Sequence, residues 1–148
     1  MEIRVLTDFS EYPGPRYIAQ GKSSGEMFYY EKLNPSFAES VKSGDKLTVV
    51  LDGTAGYASS FLDEAFGNLV YDFTLDVVKK HIGIISNDEP HWIDMISNKT
   101  FNEWEDRRKI KDLVVVSDVK SIPWARIIEG NIVVQLWQDD KLIYQKTE

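Results

Sequence analysis

The 148-residue chain contains no cysteine. A disulfide framework, a thiolate metal site and a cysteine nucleophile are therefore excluded. Histidine is nearly absent too, with only His81 and His91 present. Long apolar runs are missing: stretches such as Leu113-Val114-Val115-Val116 fall far short of the roughly 20 residues that cross a bilayer. Basic charge is not in excess either. Lys plus Arg is 17 against 24 for Asp plus Glu, a net charge of −7. That balance argues against a partner held through a phosphate backbone, so no nucleic acid is expected. The opening MEIRVLTDF has no basic stretch followed by a long apolar one. No signal peptide is expected, no membrane association, and the expected compartment is the cytoplasm.

What is present is typical of a globular chain: 43% apolar and 28% charged residues. A chain of this length buries roughly 68–70% of its unfolded surface, enough for a substantial core. Residues 3–9 read as a first strand, closed by Ser10-Glu11-Tyr12-Pro13-Gly14-Pro15, and residues 16–19 as a second strand beside it. Ser23 and Glu26 have capping-box spacing ahead of a helix. Asn34 and Pro35 suit the cap and first position of another. Residues 47–51 form a continuous apolar run of the kind buried on both faces of a sheet. Leu62, Ala65, Phe66, Leu69, Val70 and Phe73 then make a full amphipathic stripe, with Ser60 and Asp63 placed to cap it. A short helix at 74–80, a buried strand at 82–86 and helices at 90–97 and 101–110, broken at Asn98, follow. Strands at 113–119, 124–128, 132–137 and 142–145, joined by Gly- and Asp-containing turns, end the chain. The fold class is α/β (α+β), a mixed sheet with helices packed on it, divided into residues 1–112 and a β-rich C-terminal antiparallel hairpin extension, 113–148.

Several sites are set aside. Gly21-Lys22-Ser23 is the tail of a phosphate-loop motif whose first glycine position is Arg16. His81 and His91 straddle a strand, which disfavours a shared metal site even with Asp88, Glu89 and Asp94 nearby. Ser59 and Ser60 lie between strand and helix, but without the G-x-S-x-G of a hydrolase. Arg107-Arg108-Lys109-Ile110-Lys111, preceded by Glu103, Glu105 and Asp106, reads as a solvated face. Trp92, Trp104, Trp124 and Trp137 read mostly as core. No catalytic residue, metal or cofactor is assigned.

One stretch is more specific: Leu51-Asp52-Gly53, a loop, and then Ser59-Ser60-Phe61-Leu62-Asp63-Glu64-Ala65-Phe66-Gly67. It resembles the STAS domains of sulfate transporters and anti-sigma-factor antagonists, and more closely the bacterial STAS-like domain family of unknown function. Arg16 and Ser24-Gly25-Glu26 share the pattern, and the resemblance spans about residues 2–100. It implies a non-catalytic regulatory module that binds a protein partner, with an ATPase of the histidine-kinase type as the candidate. It also implies a phosphoacceptor in the loop, Ser59 by position, with Ser60 beside it. The sequence departs from the antagonist motif: Ala58 stands where that motif has Asp, and Phe61 where it has Gly. Tyr57, Phe61, Asp63 and Glu64 are the partner-binding candidates. Two other classes stay open. One is a structural component that forms a homo-oligomer through strand edges of the extension. The other is a small-molecule or nucleotide sensor with a pocket near Arg16, Asp52, Tyr57 and Ser59, in which Arg16 contacts an anion; for Arg16 an ion pair with a local acid is the favoured role.

Overall fold

In a computed structural model that describes residues 1–111 and 122–135, Leu47, Val49 and Val50 are buried and form the middle strand of a sheet. This strand, β2 (Leu47–Val50), lies between β1 (Glu2–Arg4) and β3 (Ile82–Ile85). Both pairings are parallel, with Ile3 opposite Val49 and Val49 opposite Ile84. Parallel neighbours need long crossovers, and here helices supply them. Among the described residues β3 is an edge strand; it is only partly buried and Ile85 is exposed, unlike the buried strand expected.

The first strand is shorter than the sequence suggests. The chain turns at Val5 into a one-turn helix, α1 (Val5–Asp8), because the Asp8 carboxylate accepts the Arg4 backbone N–H at 2.8 Å. The strand expected at 16–19 is instead a 3₁₀ turn, Ile18–Gln20. The N–H groups of Tyr17 and Ile18 go to the Gln20 and Glu26 side chains, both at 3.0 Å, and are unavailable to a ladder.

The next helix is capped by Ser24, not Ser23: the Ser24 Oγ accepts the Met27 N–H at 3.0 Å. Ser23 lies outside with φ +55°. From this cap α2 (Gly25–Phe28), a π-helical stretch (Tyr29–Leu33) and α3 (Asn34–Ser43) run on without the expected break. A proline inside a helix clashes with the preceding turn, and the widened π turn ahead of Pro35 relieves that conflict. Asn34 is therefore helical and caps nothing. Its amide reaches the C-terminal hairpin instead, donating to the Ala125 carbonyl at 2.9 Å and accepting the Ala125 N–H at 2.8 Å.

The amphipathic stripe becomes α4 (Ser59–Phe73), the central helix, buried on nearly every side from Phe61 onward. Ser60 does not cap it; Ala58 holds the cap position without a side-chain bond. Thr74 breaks the helix with φ +74°, and α5 (Leu75–His81) leads into β3. Beyond it α6 (His91–Asp94), a π stretch (Met95–Thr100) and α7 (Phe101–Lys109) continue through Asn98, where a break was expected. α7 sits close against α4 at Gly67, where a Cβ would lie 2.1 Å from Trp104.

The C-terminal hairpin, β4 (Trp124–Ile128) and β5 (Asn131–Gln135), is antiparallel. Glu129 and Gly130, with φ +50° and +80°, make its turn. Both positive angles match the mirror-image turns that suit strand twist. Trp124 and Ala125 join the main core, and buried Arg126 pairs with Asp72 of α4 at 3.0 Å. The strands expected at 113–119 and 142–145, and residues 136–137, lie outside the described residues.

Gly67→Ala is expected to lower stability by about 1–3 kcal/mol through overpacking against Trp104, and urea unfolding checks this. Asn34→Ala is expected to cost about 1–3 kcal/mol because both Ala125 backbone groups lose their partner. An unchanged urea midpoint would show that the hairpin docks without that amide.

Candidate functional site

The carboxyl end of β2 opens into a loop fixed by its own backbone. Gly53 and Gly56 have φ of +88° and +122°, conformations that side chains resist. The Gly53 N–H donates to Asp88 Oδ2 and the Asp88 N–H donates to Asp52 Oδ1, both at 2.9 Å. Tyr57 Oη donates to the Leu51 carbonyl at 2.7 Å. The clasp ties the loop after β2 to the loop after β3. It holds both at the carboxyl edge of the sheet, where parallel sheets place their ligand sites.

The loop delivers Ser59 and Ser60 to the first turn of α4. Ser59 is exposed and Ser60 half-buried. Neither hydroxyl has a hydrogen-bond partner among the described residues. Phe61, a partner-binding candidate, points into the core. Its ring is 5.8 Å from Phe28 and 5.7 Å from Tyr57, and it is fully buried. Glu64 is buried as well, with 2% of its side chain exposed. Both of these partner-binding candidates are thus buried and turned away from solvent. Tyr57 and Asp63 are half-buried.

Beneath the serines lies a charge cluster. Arg16 donates from Nη1 to Asp63 Oδ2 at 2.8 Å and to Glu64 Oε1 at 3.2 Å. These acids are local in space but 47 and 48 residues away in sequence. The Arg16 backbone is fixed too, since its carbonyl accepts the Glu26 N–H at 3.0 Å. Gly25 makes this approach feasible, because a Cβ there would lie 2.3 Å from the Phe61 carbonyl. Asp63 also accepts from Thr100 Oγ1 at 3.1 Å and Trp104 Nε1 at 3.2 Å. Glu64 Oε2 accepts from Asn68 at 2.8 Å. Burial pushes the Glu64 carboxyl up to about 7, against the opposing pull of Asn68 and Arg16. Desolvation disfavours the ionised form more than one shared cation restores it.

A cleft of about 160 Å³ opens over this cluster, lined by Arg16, Ser59, Ser60, Asp63, Lys99 and Glu103 among others. Arg16 and Ser59 thus meet as the sensor reading required, but Asp52 and Tyr57 do not line the cleft; they are spent on the loop clasp. Lys99 and Thr100 escaped the sequence reading, and Glu103 and Trp104 read there as a solvated face and core, since nothing local links this stretch to a serine 40 residues before Lys99. Asn68 alone carried a signal, four residues from Glu64 on the same helix face. The histidines lie apart: His81 Nδ1 is 2.8 Å from the Asp45 carbonyl, and His91 packs on Trp92. No described helix is long and apolar enough to cross a membrane.

Residues 24–92 match the family model described as a STAS-like domain of unknown function (DUF4325). That segment runs from the Ser24 cap through β2, α4 and β3 into α6. No curated protein and no solved structure matches the chain.

The raised Glu64 pKa has a defined consequence for stability. The folded value of about 7 exceeds the ordinary carboxyl value of 4.5, so the folded state holds the proton more tightly. The stabilisation is complete below about pH 4.5 and is lost as pH rises through about 7. Glu64→Gln should remove a fall of up to roughly 3 kcal/mol across that window. Urea unfolding from pH 4.5 to 8 reads the slope, which is informative even where the substitution shifts the overall level. Identical slopes for the two proteins would refute a raised Glu64.

Proposed function

We propose that this chain is a cytoplasmic, non-catalytic regulatory module that docks a protein partner through the head of α4. Ser59 is the phosphoacceptor and an ATPase of the histidine-kinase type is the partner. The observation that supports this most is the exposed Ser59 hydroxyl, without a partner among the described residues, on a braced loop that follows the central strand of a STAS-like domain. A phosphoryl group there would meet the free N–H groups and positive end of a 15-residue helix. It would also change the charge of the surface a partner touches. Ser59, Ser60, Tyr57 and Asp63 form that surface, with Phe61 and Glu64 supporting it from below. A second reading, self-association through the hairpin, has one observation in its favour: Val133 and Val134 of β5 are exposed.

Affinity capture from a native lysate with wild-type and Ser59→Asp baits tests the first reading. An ATPase of the histidine-kinase type should be retained by the wild type and lost with Ser59→Asp. Intact-mass analysis after incubation with that ATPase and ATP should then place one phosphoryl group on Ser59. Equal retention by both baits, or no phosphoryl gain, overturns it. Light scattering of the full chain decides the second reading, which a monomer would refute.

A further inference from the structure

Arg16 reaches the cleft with only part of its guanidinium committed. Both of its ion pairs use the same nitrogen, Nη1. Its other N–H groups have no hydrogen-bond partner among the described residues. Lys99, from the π stretch before α7, lines the same cleft and forms no ion pair among the described residues. The Ser59 and Ser60 hydroxyls also line it without partners. Donors from three separate stretches of chain therefore share one cavity and have no acceptor assigned to them.

Two carboxylates line the cleft as well, and their state decides what it can bind. Asp63 is met by three donors, Arg16, Thr100 and Trp104, so its charge is already answered. Glu103 is exposed. Asp63 and Glu64 hold Arg16 by one corner. A guanidinium so oriented presents its remaining donors as a planar fork, the geometry that grips tetrahedral and planar oxyanions. Little ordering cost remains on binding, because the Arg16 backbone is already fixed by Glu26.

We propose that this cleft binds one small tetrahedral oxyanion, a phosphoryl or sulfuryl group. Arg16 supplies the fork, Lys99 the second positive charge, and the two serine hydroxyls the remaining donors. The group has two sources, a free anion or an ester on Ser59 itself. The site does not depend on the partner reading.

The test uses the intact protein titrated with sodium sulfate, with sodium chloride balancing ionic strength, and followed by ¹⁵N NMR. Saturable shifts are expected at Arg16, Ser59, Ser60 and Lys99. Arg16→Lys should weaken binding roughly tenfold, the cost of losing the fork. Because that change also disturbs Asp63 and Glu64, Lys99→Gln serves as the second variant: it should weaken sulfate binding without moving the unfolding midpoint. Protein carrying phosphoserine at position 59 separates the sources. Loss of sulfate binding there assigns the cleft to the ester, and retained binding assigns it to a free oxyanion. Linear, non-saturating shifts that chloride reproduces, or binding indifferent to both substitutions, overturn the site. No ATPase is present in this assay, so its failure leaves the partner reading standing, and failure of the capture experiment leaves this one.

Discussion

Burying α4 on nearly every side forces its polar residues to find partners inside the protein. Glu64, Asn68 and Asp72 stand at i, i+4 and i+8, a polar stripe along a helix whose other faces are Phe, Leu, Val and Ala. All three are almost fully buried. A buried carboxylate without a partner costs several kcal/mol, so each must be answered by a donor from elsewhere. At the head of the helix the answer is Arg16. At its tail Asp72 accepts from Tyr29 Oη and pairs with Arg126 of the hairpin. Asn68 donates to Glu64 between them. The N-terminal loop, the α2–α3 helix and the C-terminal hairpin are placed by what this stripe demands.

The two ends of the stripe differ in a way that separates structure from function. Arg126 and Asp72 are sealed, with 2% and 0% of their side chains exposed. Tyr29 and Asn34 close the network around them. Nothing from solvent reaches that pair, and its role is to dock the hairpin. Arg16 keeps 27% of its side chain accessible and borders a cleft that also holds two serines and a lysine. A charge that is fixed in place but not fully spent is suited to recognise something arriving from outside. The same physical requirement, a counter-charge for a buried acid, yields a sealed pair at one end and a solvent-accessible one at the other.

Periodic features were legible in the sequence. The stripe from Leu62 to Phe73 is α4, the apolar run at 47–51 contains the central strand, and Glu129-Gly130 marks the hairpin turn. What misled was punctuation. Asn34-Pro35 has the chemistry of a helix start, yet the π turn before it lets the helix continue. Asn98 reads as a break but lies within another π stretch. Local hydrogen bonds from Asp8, Gln20 and Glu26 diverted backbone N–H groups that the strand readings needed. For the candidate site, the Ser59 to Gly67 motif located the helix head correctly. Which of its residues face outward was not legible. Phe61 and Glu64 are buried by contacts with Phe28, Arg16 and Asn68, and only Asn68 lies near enough in sequence to be anticipated.

The extent of the family match can be set against this stripe. Residues 24–92 contain Glu64, Asn68 and Asp72, the three buried polar residues of the stripe. Both arginines that answer them, Arg16 and Arg126, lie outside it, one before and one after. Thr100 and Trp104, which hold Asp63, lie outside as well. A chain confined to residues 24–92 would lack both arginines, and removing Arg126 from buried Asp72 breaks a buried pair at a cost of about 3–5 kcal/mol. The contacts that answer these acids therefore extend beyond the matched segment, to the loop at Arg16 and the hairpin at Arg126. The cleft over α4 takes Arg16 from before the segment and Lys99 from after it. A ligand in that cleft would therefore meet residues the matched segment does not contain.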